Sequence, residues 1–169
     1  MDPLIVSVLG PESSGKSTLT RALAQRFAAR WVPETAREFY DRHPRPPEPP
    51  DILAIARAQA AALRSARGLT FFDTDPRSTA VWGVVLWGEN TPSLSELVYP
   101  SPALTVLCRP DLPWVPDLQR VQPEQRDRDD FFRRLHARVH GPVCVVEGDN
   151  REERAAAAVQ DLLQRSPSR

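Results

Sequence analysis

Gly10-Pro11-Glu12-Ser13-Ser14-Gly15-Lys16-Ser17 fills every position of the pattern G-x-x-x-x-G-K-[ST]. On its N-terminal side lies Leu4-Ile5-Val6-Ser7-Val8-Leu9, an almost unbroken apolar run with β-branched residues. On its C-terminal side, from Ser17 to Ala29, Leu19, Leu23 and Phe27 recur on one helical face. The first run predicts a buried parallel strand and the second an amphipathic helix. A glycine-bearing turn between strand and helix aims its N–H groups inward, and the helix dipole adds positive potential at the same place. The spacing therefore predicts a phosphate cradle made of Gly10, Ser13, Ser14, Gly15, Lys16, Ser17 and Thr18. Gly10 and Gly15 would allow the backbone to curl. Lys16 would bridge the β- and γ-phosphates, and the Ser17 hydroxyl would ligate Mg2+.

Composition sharpens the reading of Lys16. The 22 basic residues are 21 arginines and this single lysine. A chain that uses arginine everywhere else but lysine here needs a compact ammonium on a flexible stem, not a planar fork. The 169 residues suit one domain, 1–169, and 41% apolar content suffices for a core. A formal net charge of zero argues against nucleic acid or an anionic membrane as partner. The apolar runs are too short for a membrane span, and Met1 leaves no room for a leader ahead of the first strand. Cys108 and Cys144 lie inside apolar runs and read as buried thiols of a cytoplasmic protein.

Further along, Trp31-Val32-Pro33-Glu34 predicts a short strand, and Thr35 to Tyr40 a helix start. His43 to Pro50 holds five prolines in eight residues, which predicts an exposed loop. Asp51 would cap an alanine-rich helix to about Arg67, stopped by Gly68. Leu69 to Asp75 reads as a strand and Pro76 to about Gly88 as a helix. Ala103 to Cys108 reads as a fourth strand. Glu124 to His140 predicts a helix, Val143 to Val146 a fifth strand, and Arg151 to Gln164 a last helix. Strands alternating with helices, with this motif after the first strand, predict an α/β fold of the P-loop NTPase type, with a five-stranded parallel sheet covered on both faces.

Strand ends on one edge of such a sheet line a ligand crevice. Glu34, Asp73 and Asp75 fall there. Two carboxylates two apart on an extended chain point the same way. Asp73 is therefore expected in the Mg2+ shell, and Asp75 or Glu34 at the substrate hydroxyl. The competing reading makes Asp75 the cap of the helix that starts at Pro76. Residues 109 to about 128, proline-rich and aperiodic over their first part, predict a lid. Its arginines, Arg109, Arg120, Arg126 and Arg128, could stabilise charge on the transferring group. Arg120 is favoured, because Trp114 and its neighbouring prolines structure that stretch. Trp31, Tyr40, Trp82, Trp87 and Trp114 could each offer a face to a planar cationic ring. His136 and His140 are spaced like metal ligands, but no third ligand accompanies them.

These blocks resemble a known family. The run Gly10 to Leu19 is similar to the phosphate loop of the ribosylnicotinamide kinase domain of bifunctional NAD-biosynthesis and regulator proteins. So are Trp31-Val-Pro-Glu-Thr-Ala-Arg-Glu-Phe39, Phe72-Asp-Thr-Asp75, Asp111-Leu-Pro-Trp-Val-Pro-Asp-Leu-Gln-Arg120 and Gly148-Asp149 with Arg154. The resemblance implies ATP-dependent phosphorylation of the 5′-hydroxyl of nicotinamide riboside, with ATP and Mg2+ required. It implies Glu34 and Arg37 at the riboside, Asp73 and Asp75 near the metal and hydroxyl, and Arg120 on the lid. Thr35 stands where the family usually has tyrosine, and the proline run after His43 is a departure. No H-x-G-H pattern for adenylyl transfer is present, so the resemblance supports the kinase step alone. The alternatives are a kinase for another nucleoside or small metabolite, and a nucleotide-dependent regulatory ATPase.

Overall fold

Hydrophobic alternation along β1 (Leu4–Leu9) sorts the molecule into layers. Val6 and Val8 enter one cluster of buried side chains, while Ile5 and Leu9 enter two others. A strand apolar on both faces must lie inside a covered sheet. In the computed structural model, which describes residues 3–165, β1 is the central strand. Met1, Asp2 and the last four residues lie outside the described range, and with them the chain start on which the leader argument rests.

The other strands are β2 (Arg30–Val32), β3 (Leu69–Asp73), β4 (Leu104–Cys108) and β5 (Val143–Val146). All pairings are parallel, in the order β2-β3-β1-β4-β5. The helices are α1 (Lys16–Arg26), α2 (Thr35–Arg42), α3 (Pro49–Arg64), α4 (Pro76–Trp87), α5 (Gln125–His136) and α6 (Arg151–Arg165). Leu19, Leu23 and Ala24 of α1 pack with Ala155, Ala156 and Val159 of α6 on one face of the sheet. Leu63 of α3, Val81 of α4 and Phe131 of α5 cover the other. Because β1 pairs with β3 on one side and β4 on the other, its carboxyl end is the switch point where open α/β sheets bind ligands. No helix among the described residues is long and apolar enough to cross a membrane.

Several boundaries differ from the sequence expectation. α1 ends at Arg26 because Ala28 adopts a left-handed φ of 47°. Pro49 and Pro50 open α3 instead of preceding it. Proline fits the first helical positions, where its missing N–H has no partner to lose. Glu48 is therefore the cap, and Asp51 sits three residues later in a reciprocal capping box. α3 ends at Arg64, so Gly68 (φ 56°) turns the chain into β3 and does not stop the helix. α5 ends at His136, so His140 does not share its face. Cys108 is buried, and its burial pushes the thiol up to about 12; Cys144 is only half-buried.

Candidate functional site

The turn from β1 to α1 is shaped by two left-handed residues, Ser13 (φ 55°) and Gly15 (φ 76°). Gly10 contributes differently from the expected curl. A Cβ there would lie 2.5 Å from Ser14 Oγ and 2.9 Å from the Cys108 carbonyl oxygen, so its bareness lets the turn pass tightly against β4. Ser14 is buried, and its hydroxyl has no hydrogen-bond partner among the described residues. Thr18 is exposed on the first turn of α1.

The Lys16 ammonium lies 3.5 Å from the Glu34 carboxylate. Burial opposes its charge, but Glu34 and Asp73 outweigh that and hold the ammonium above its ordinary value. Glu34 is placed by the end of β2, where it precedes the first turn of α2. Asp73 ends β3 beside β1, with Val8 as its register partner. Burial pushes the Asp73 carboxyl up to about 6, with Lys16 and the Ser17 hydroxyl pulling the other way. Its Oδ1 is buried without a hydrogen-bond partner among the described residues. A buried carboxylate oxygen with unused lone pairs beside a serine hydroxyl suits a hard cation that takes oxygen ligands, so Ser17 and Asp73 fit Mg2+.

Asp75 does not join this group. Thr74 adopts a φ of 75°, which breaks the two-residue alternation that would have aimed both aspartates the same way. Asp75 instead caps α4, accepting from the Arg77 backbone N–H at 2.9 Å. Its carboxylate is closed off by the Arg77 guanidinium, which also donates to Thr105 at 3.1 Å. The helix-cap reading holds for this residue.

A cavity of about 760 Å³ opens from the phosphate turn. Lys16, Ser17, Glu34, Arg37 and Arg120 are among the residues that line it. Tyr40 and Trp82 give it aromatic walls. Trp31 is instead exposed, with the Arg21 guanidinium 4.8 Å over its ring, and neither it nor Trp87 is on the lining. The proline segment, expected as a surface loop, forms part of the wall through Pro44, Arg45, Pro46 and Pro47. Arg45 is fixed by a two-pronged ion pair to Asp51, at 2.8 and 2.9 Å.

Of the lid arginines, Arg120 alone faces this cavity. Its guanidinium contacts Asp117 at 3.1 Å, and Asp117 accepts from Arg37 at 3.0 Å. Arg109 pairs with Glu147 and lies over the Phe132 ring. Arg126 is exposed beside Asp127. Arg128 is buried at the start of α5, donating to Gln125 and the Pro123 carbonyl. The sequence reading missed two residues. Glu12, at an unrestricted position of the motif, receives hydrogen bonds from Trp114, Val121 and Gln122. Arg151 donates to the Ser14 carbonyl at 2.8 Å and to Asp111 at 2.9 Å. The contacts of Glu12 and the Arg151–Ser14 contact span more than a hundred residues, so no local spacing announces them.

The model of a family described as an AAA domain matches residues 5–154. The chain belongs to that AAA-domain family. Its fold is shared with solved P-loop proteins. A NadR protein in complex with NR superposes at a TM-score of 0.76 with 22% identity, over 99% of this chain and 53% of that one. A NadR complex with NAD and AMP-PNP gives 0.76 at 20% identity, over 99% and 51%. Deoxyadenosine kinase from M. mycoides gives 0.65 at 12% identity, over 95% and 98%. The AAA-domain chain thus spans about half the length of the NadR structures it matches.

Proposed function

We propose that this chain is a small-molecule kinase that moves the γ-phosphoryl group of ATP to the 5′-hydroxyl of nicotinamide riboside, giving nicotinamide mononucleotide. The observation that carries the reading is one cavity in which the phosphate-loop lysine, Glu34, Arg37 and Arg120 converge beside aromatic walls. The turn's amides and the N-terminus of α1 would hold the β- and γ-phosphates. Lys16, kept charged by its carboxylate neighbours, would balance charge that builds on the transferring group. Ser17 and Asp73 would hold Mg2+, which when bound neutralises charge between the β- and γ-phosphates.

With Asp75 occupied by Arg77, Glu34 is, of the two carboxylates expected at the acceptor hydroxyl, the one that lines the cavity beside Lys16. Glu34 would accept the hydrogen bond of the attacking hydroxyl and orient it. Arg37 would bind the riboside's oxygens, and Tyr40 and Trp82 would stack near its cationic ring. Arg120, already on the cavity lining, would offset charge on the phosphates.

The test is turnover with Mg-ATP and a panel of nucleosides, read for mononucleotide product. Nicotinamide riboside is expected to be the preferred acceptor. Preference for a deoxynucleoside would replace the acceptor and keep the kinase. ATP hydrolysis that no acceptor stimulates would overturn both.

A further inference from the structure

Glu12 is an odd residue for its place. It occupies a turn whose amides would collect a polyanion, where a further negative charge is unfavourable. Yet the side chain is inside, with 8% of the residue exposed. Among the described residues, its oxygens are taken up by donors from one segment. Trp114 Nε1 donates at 3.1 Å, the Val121 N–H at 2.9 and 3.1 Å, and the Gln122 N–H at 2.9 Å. These donors flank residues 115–120 on both sides. Next to Glu12, Ser13 Oγ accepts from the Val115 N–H at 3.0 Å. The stapled loop then bonds outward to α2, through Asp117 to Arg37 and Gln119 to Asp41 at 2.8 Å. Arg120 lies within the staple, with its guanidinium on the Val115 carbonyl and on Asp117.

We propose that Glu12 is a positioning residue: it pins both ends of the 115–120 loop to the phosphate turn and so holds Arg120 at the cavity. A free loop of this length with three prolines nearby would sample many arrangements, and a guanidinium on it would have to be ordered in every catalytic cycle. Charge-assisted bonds to three N–H groups remove that freedom in advance. The carboxylate suits the task because it is acceptor-only, and every group facing it is a donor. A glutamine would turn an NH2 group toward at least one of those N–H donors. The kinetic consequence rests on the kinase reading; the pinning does not.

The Arg120–Val121 peptide bond reports the pinning directly, because trypsin can cut it only after the Val121 N–H leaves Glu12. For Glu12→Gln, cleavage at this bond, followed by mass spectrometry without ligands, is expected to speed up by about tenfold or more. In the same variant kcat should fall by about tenfold or more, while the KM for ATP stays within about threefold. Trp114→Phe deletes one donor, leaves Glu12 in place, and should move both readouts in the same direction by a smaller factor. It decides the matter alone if Glu12→Gln does not fold. Cleavage at the wild-type rate overturns the proposal, as does fast cleavage with unchanged kcat. Failure to phosphorylate any acceptor would sink the functional reading and leave the cleavage result standing.

Discussion

A guanidinium cannot take the place of the Lys16 ammonium. The side chain is largely buried, with its Nζ 3.5 Å from Glu34 and Asp73 close enough to raise its affinity for a proton. It reaches that point along an unbranched stem between a turn packed on Cys108 and the end of β2. Arginine keeps the charge but needs a planar fork's worth of space and offers its donors in fixed directions. Lys16→Arg is therefore expected to lower turnover by about a hundredfold or more, the scale seen when a transition-state charge partner is misplaced. The check is kcat with saturating ATP and acceptor, beside a thermal melt that shows the variant folded. Near-normal turnover would mean that charge alone is required and that the single lysine of the chain has no chemical reason.

Helix α3 shows how an element can be read correctly as present and wrongly as to where it begins. Its alanine-rich stripe announces a helix, but five prolines in the preceding eight residues argued for a loop up to Pro50. The first two positions of a helix tolerate proline, and the cap falls to Glu48 with Asp51 answering from the third position. Asp51 also takes the Arg45 guanidinium, which, with help from the Glu48 N–H, holds its carboxyl below the ordinary value of 3.8. A lowered folded value stabilises the fold above the unfolded value, and that stability is lost as pH falls through the folded one. Asp51→Asn should thus melt about 2–4 °C lower near neutrality, the effect of losing about 1 kcal/mol of capping. The gap to the wild type should close as the pH drops below 3.8, and melts across that range check it. A gap constant with pH would show that charge plays no part. The same distinction explains the aspartate pair at the end of β3. The motif and the apolar run made β1, the turn and the presence of α1 legible, but not the stop of α1 at Arg26 or the close packing that needs Gly10. Asp73 was legible because the strand continues up to it. For Asp75 the sequence left the site and the helix cap both open, because the left-handed Thr74 that decides for the cap leaves no trace in residue type.

At the scale of the whole molecule, the sheet order was foreseeable only as parallel; which strand neighbours which depends on packing that no local pattern encodes. The order puts the phosphate turn at the junction of two halves, one built from β2 and β3, the other from β4 and β5. Side chains from late in the chain then close on the turn from both directions. Glu12 holds the lid segment, and Arg151 holds the turn itself. Arg151 stands at the start of α6 and donates to the Ser14 carbonyl, to Asp111 and to the Gly148 carbonyl at 2.9 Å. Asp111 in turn accepts from the Gly148 N–H at 2.6 Å. Although burial opposes its charge, these donors keep the carboxyl below its ordinary value. Removing Arg151 would leave the Ser14 carbonyl without that partner and unfasten the head of the lid from α6. Arg151→Ala is expected to lose about 2 kcal/mol, which for a chain of this size lowers the melting temperature by about 4–8 °C. It should also shrink the rise in melting temperature that Mg-ATP produces, because the turn would have to be ordered by the nucleotide itself. Melts with and without Mg-ATP separate the two effects. A lower melting temperature with an undiminished nucleotide-induced rise would make Arg151 a brace of α6 alone, with the turn holding its shape unaided.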